Sequence, residues 1–88
     1  MDYSKIYPSI DLHGEYQFSA KYLTEEFIND SILLKNYKIC IIHGIGEGLV
    51  KKAVYEVLKN HKKVKEYKQD NMNPGCTIVI LWEDEWLS

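Results

Sequence analysis

Apolar residues fall into two rhythms along this 88-residue chain. In "YPSIDL" at 7–12, "YKICIIH" at 37–43 and "CTIVILW" at 76–82 they come in short, partly β-branched bursts of strand length. Between about residues 18 and 34, and again from the glycine turn to about Asn60, they recur at helical spacing. Ala20, Leu23, Phe27 and Leu34 mark one stripe of the first helix, with Ile28 and Ile32 flanking it. In the second helix the pairs Leu49/Val50, Ala53/Val54 and Val57/Leu58 return every four residues, the clearest periodicity in the chain. "KVKEYKQDN" alternates weakly and predicts a solvent-edge strand. Gly14, Asn36 and the "NPG" at 73–75 punctuate the pattern as turns and a helix stop.

The predicted order is β-α-β-α-β-β. A strand–helix–strand unit sets its strands parallel through a right-handed crossover, and the last two strands form a hairpin. The expected fold class is α/β, an α+β two-layer sandwich with a mixed four-stranded sheet and two helices. No repeat or linker divides the chain. One domain is expected over 1–88, with its core at about 8–82 and a short acidic tail at 83–88. Trp82, just before that tail, and Trp86 and Leu87 within it read as a cap on the edge of the core, or as an adhesive peptide.

Composition narrows the classes. A 45% hydrophobic and 12% aromatic content fits a folded globule. No apolar run approaches the roughly 20 residues that cross a bilayer, and the N-terminal stretch lacks the apolar core of a signal peptide, so a soluble, cytoplasmic protein is expected. Cys40 and Cys76, both within apolar bursts, read as buried free thiols. Net charge is −2, yet its distribution is uneven. Lys51, Lys52, Lys59, Lys62, Lys63, Lys65 and Lys68 face only Glu56 and Glu66 over residues 49–68. Such a block is either a phosphate-facing surface or a solvated helix and loop. The chain has no arginine, and lysine lacks the fork that reads guanine, so any nucleic-acid binding is expected to tolerate sequence.

The candidate chemistry sits at two strand ends. "DLHG" follows the first strand and "HGIGEG" the second. If these strands are parallel neighbours, His13 and His43 emerge at one carboxyl edge with Asp11 just beneath, where open α/β sheets bind ligands. Gly44, Gly46 and Gly48 suit a strand–turn–helix junction whose amides approach an anion, with Lys51 and Lys52 adding charge. A turn needing positive φ explains the same glycines without a ligand. The G-x-G-x-G spacing fits neither the dinucleotide fingerprint nor the phosphate-binding P-loop, so no nucleotide cofactor is expected. Two histidines beside a phosphate suit proton transfer in phosphodiester cleavage, with Asp11 orienting one of them. They also suit plain structural roles as a turn hydrogen-bonder and a strand-end cap. One carboxylate and two histidines are a thin metal set, and nothing in the spacing demands an ion.

"DLHG" at 11–14, "IIHGIGEGLVKKAVYEVL" at 41–58 and "GCTIVIL" at 75–81 together resemble the small MutS-related (Smr) domain, over roughly residues 8–82. The resemblance implies a fold like the C-terminal domain of translation initiation factor three. It implies nucleic-acid binding, often with endonuclease activity on DNA or RNA. Asp11 and His13 would be the catalytic pair, with His43, Gly44 and Gly46 as the second half of the site and Lys51 a phosphate contact. "EYQFSA" at 15–20 departs from the threonine-like cap and acidic first turn common in that family, and "NMNPG" shortens its usual glycine-rich approach to the last strand.

The function expected from these readings is a monomeric, standalone endonuclease that cleaves RNA or DNA with little sequence preference. RNA is favoured because it carries its own 2′-hydroxyl nucleophile, whereas DNA would call for activated water and a metal ion. The alternative is a non-catalytic module docking on nucleic acid or a ribosome.

Overall fold

The computed structural model describes residues 5–83. Six elements follow one another: β1 (Ser9–Asp11), α1 (Gln17–Leu33), β2 (Lys38–Ile42), α2 (Leu49–Asn60), β3 (Val64–Gln69) and β4 (Cys76–Leu81). The sheet order is β1-β2-β4-β3, parallel between β1 and β2 and antiparallel elsewhere. This is the mixed four-stranded sheet with two helices that the hydrophobic pattern predicts. The β1–α1–β2 unit supplies the parallel pair, and β3–β4 is the closing hairpin, its register shifted once between Val64 and Glu66.

Both helices cover the same sheet face. Ile39 and Ile41 of β2 and Val79 and Leu81 of β4 meet Ala20 and Ile28 of α1 and Ala53, Val54, Val57 and Leu58 of α2 in one buried cluster. The two central strands are apolar on their other face as well. There Cys40, Cys76 and Ile78 form a second, smaller cluster with Tyr7, Ile42 and Ile80 beside it. The two thiols are buried and unbridged, as expected.

α2 obeys its sequence pattern, since the pairs Ala53/Val54 and Val57/Leu58 are the residues it buries, with Val50 packed beside them and Leu49 exposed. α1 differs. Its buried line is Ala20, Thr24, Ile28 and Ser31, with Leu23, Phe27 and Ile32 packed alongside. Leu34 is exposed and lies just past the helix, contrary to the predicted stripe. The helix ends at Leu33, one residue before the expected end at about Leu34 and three before Asn36. Lys35 takes φ +60°, while its amide donates to Ile32 O and that of Asn36 to Ser31 O, a paired C-terminal closure that satisfies two helix carbonyls. Trp82 is half exposed at the end of β4 with the Lys65 ammonium over its ring. The expectations for Trp86 and Leu87 lie outside the described residues. Among those described, no helix is long and apolar enough to cross a membrane.

Candidate active site

β1 and β2 are parallel neighbours, with Asp11 opposite Ile42, so the loops after them leave the same sheet edge. The Leu12 amide donates to Ile42 O, and Leu12 itself is buried, pinning the first loop at its root. His13 and His43 thus arrive side by side, as the topology requires.

The "DLHG" loop folds onto its own aspartate. Asp11 Oδ1 accepts from the His13 backbone amide at 3.1 Å and lies 2.5 Å from His13 Nδ1. The bond to the imidazole holds the Asp11 carboxyl below its ordinary value, and the same bond raises His13 above its own. With Nδ1 donating to a carboxylate, the ring presents Nε2 outward. That nitrogen has no partner among the described residues, and the His13 side chain is 70% exposed. An aspartate that fixes the tautomer of an exposed imidazole is the arrangement a general base needs.

His43 is built the other way. It is 4% exposed, and both its nitrogens are committed within the protein. Nδ1 donates to Gly44 O at 2.8 Å, so Nε2 is the acceptor, taking the Thr77 hydroxyl at 2.8 Å. Thr77 Oγ1 in turn accepts from the Tyr55 hydroxyl at 2.9 Å, and the Tyr55 ring meets the His43 ring edge-on. Burial lowers the His43 pKa and the nearby Lys51 charge lowers it further, against the opposing pull of Gly44 O. The imidazole is held neutral with no free nitrogen. The expectation of two histidines trading protons with a substrate therefore meets one available ring, His13, and one structural ring.

The glycines divide similarly. Gly44 adopts φ +79°, and a Cβ there would meet His13 Cβ at 3.0 Å. The close approach at Gly44 is thus made by the neighbouring loop of the protein itself. A third loop joins them: Gly75 O accepts from both the His43 and Gly44 amides, at 2.9 and 3.0 Å. Gly46 and Gly48 also have positive φ, but a Cβ at either would enter open space. They shape the turn that leads into α2.

The first two loops frame an open cleft of about 450 Å³, lined by His13, Tyr16, His43, Gly46, Leu49 and Val50 among others. Both helices begin on its wall. Neither has a side-chain cap on its first-turn amides, and neither carries an acidic residue in its first turn. Tyr16 and Gly48 stand at the capping positions, where Ser, Thr, Asp or Asn would contribute about 1 kcal/mol. Two helix ends with no side-chain cap and no first-turn acid suit an anion at this edge. Glu15 and Glu47 also line the cleft, so its pull on an anion comes from His13 and the helix ends and owes nothing to a basic wall.

Lys51 and Lys52 are not among the lining residues. The Lys51 ammonium donates to Gln69 Oε1 and lies over the Tyr55 ring, tying α2 to β3. Lys52 is exposed on α2. Among the described residues no three His, Cys, Asp or Glu side chains gather as a metal-ligating set. Residue chemistry alone did not single out Thr77 and Tyr55, although the threonine of "GCTIVIL" is the signal that marks the buried partner of His43.

Comparison with known proteins agrees with this architecture. The Smr domain family matches residues 10–81. Endonuclease MutS2 of a Geobacillus species is 38% identical over 74 residues, covering 84% of this chain and 9% of that protein. Endonuclease MutS2 of Clostridium kluyveri is 32% identical over 75 residues, covering 85% of this chain and 10% of that protein. The chain thus spans about a tenth of the length of these relatives. Among solved structures, the Smr domain of Thermus thermophilus MutS2 superposes with a TM-score of 0.82 at 23% identity, covering 85% of this chain and 98% of that one. YdaL, a stand-alone small MutS-related protein from Escherichia coli, gives 0.79 at 21% identity, covering 91% and 72%.

Proposed function

The chain belongs to the Smr domain family, and from that premise we propose that it is an endonuclease cleaving phosphodiesters of RNA or DNA with little sequence preference. The observation that carries this reading is the Asp11–His13 pair: an imidazole oriented by a carboxylate, its other nitrogen free, on the wall of a cleft where two uncapped helices begin. The relatives named as endonucleases support the same reading.

In this mechanism the scissile phosphate sits against the first-turn amides of α2, with Gly46 and Gly48 keeping side chains out of its path. His13 Nε2 takes the proton from the attacking hydroxyl as the new P–O bond forms. The bond from phosphorus to the 5′-oxygen breaks, and that oxygen leaves with a proton from solvent. Asp11 holds the ring and stabilises the imidazolium that results. His43 acts as a positioning residue: its buried bonds hold Gly44 in place, and Gly44 lies close against His13 Cβ. RNA is the favoured substrate, because its 2′-hydroxyl supplies the nucleophile within reach of a single base. Contacts through backbone amides and an imidazole read no base edge, in keeping with a sequence-tolerant enzyme.

The test is cleavage of end-labelled single-stranded RNA, and of DNA of the same sequence, by the wild-type protein and by His13→Ala, with and without chelator. The expected result is RNA cleavage that His13→Ala reduces by about 10²–10⁴-fold. Cleavage of DNA abolished by chelator would assign a metal-dependent water reaction to the site. Binding without cleavage, unchanged in His13→Ala, would replace the nuclease with a non-catalytic nucleic-acid module.

A further inference from the structure

Tyr16 and Phe18 are poorly explained by folding. Tyr16 occupies the capping position of α1 without capping it. Its side chain is 75% exposed and that of Phe18 is 76% exposed. The two rings are parallel within 2° with centroids 6.2 Å apart, so each finds its aromatic partner in the other while both remain in water. Lone exposed apolar residues are ordinary, but these cluster at one place. Tyr16 lines the cleft together with His13, and Ile45 and Leu49, also exposed, line it as well.

The cleft therefore has two chemistries. One part offers open amides and the His13 ring, which suit a phosphate, and its rims are apolar and aromatic. A nucleotide has the same division, with an anionic link and a flat apolar base. The bases of a duplex are stacked on each other and unavailable, whereas those of a single strand can lie on aromatic rings.

We propose that Tyr16 and Phe18 are a stacking platform for unpaired nucleobases beside the reacting phosphodiester, so that this site takes single-stranded nucleic acid in preference to duplex. Tyr16 receives the base nearest His13, and Phe18 extends the platform outward by one position. The platform stops there. Tyr22, one turn further along α1, gives its hydroxyl to Glu26, and Glu25 and Asp30 make that stretch repel a phosphate backbone. The proposal rests on the nucleic-acid reading above, and adds to it the strandedness of the substrate and the residues that select it.

The experiment is fluorescence anisotropy with three labelled RNA probes of one length: a mixed-sequence single strand, its duplex, and a single strand with several abasic positions. The wild-type protein should bind the base-bearing single strand about tenfold more tightly than either of the others. The double variant Tyr16→Ala/Phe18→Ala should lose about tenfold on that probe alone, and the swap Tyr16→Phe/Phe18→Tyr should keep it. Both rings are exposed, so a melting temperature equal to wild type is expected for both variants. Equal wild-type affinity for the base-bearing and abasic strands would overturn the platform. So would an alanine pair that still binds like wild type, or one whose only defect is a lost self-association. If His13-dependent cleavage persists in those cases, the platform fails alone. If no probe binds or is cleaved, the nuclease reading fails with it.

Discussion

The Asp11–His13 loop and the His43 turn touch at Gly44, yet they are made on opposite principles. In the first, a histidine stands in solvent with one nitrogen tied to a carboxylate and the other free. In the second, a histidine is buried with both nitrogens filled by Gly44 O and Thr77. The carboxylate pulls one pKa up while burial pushes the other down. What separates an available imidazole from a committed one here is access and partner, since both are histidines that follow neighbouring parallel strands.

Substitution should break this contrast into two phenotypes. The largest stability effect is expected from His43→Ala. It opens a cavity and takes from the buried Thr77 hydroxyl one of its two partners, leaving it only Tyr55, at a cost of about 2–4 kcal/mol measured by urea unfolding. Gly44→Ala comes next. A methyl group at φ +79°, 3.0 Å from His13 Cβ, should cost about 1–3 kcal/mol and displace His13. Cleavage should fall further in this variant than its loss of folded protein explains, and an active, fully stable Gly44→Ala would refute the contact between the loops.

Asp11→Asn sharpens the contrast through pH. As a base, His13 works unprotonated, so kcat/KM should rise with pH through a midpoint above the ordinary histidine value of 6.5. Removing the carboxylate should move that midpoint down. Stability has the opposite windows for the two rings. His13 contributes below its unfolded pKa and loses that contribution as pH rises through its folded one. His43 contributes above its unfolded pKa and loses it as pH falls through its folded one. Acid should therefore destabilise wild type more than a His43→Gln variant, as scanning calorimetry across pH 5–7 would record on the approximate scale of histidine titration. The smallest effect is expected from His13→Ala on stability, with a urea midpoint close to that of wild type, because the side chain it removes is exposed.

Much of this was legible in the chain. Strand order and the shared edge of His13 and His43 follow from two strand–turn junctions and the handedness of a crossover. α2 was read correctly because every apolar pair in it is buried or packed against the core, Leu49 excepted. α1 was read less well, because Thr24 and Ser31 occupy its buried line while Phe18, Tyr22, Leu33 and Leu34 face water. Periodicity counts apolar residues and so misses a buried hydroxyl. The division of labour between the histidines was invisible for a similar reason: it depends on Thr77 and Tyr55, each distant in sequence from His43. Lys51 looked like a phosphate contact from its place beside the glycines, but its long side chain reaches Gln69 on another element.

β1 is three residues long and lies at the sheet edge, bonded on one side only. Asp11 and His13 hang from its end, whereas His43 is anchored in β2, which is paired on both sides. The Asp11–His13 arm therefore hangs from a short edge strand, and we expect it to open locally more readily than the helix-covered core. In hydrogen exchange, the Leu12 amide should trade its proton well before that of Val79, and a bound strand should slow the first without touching the second.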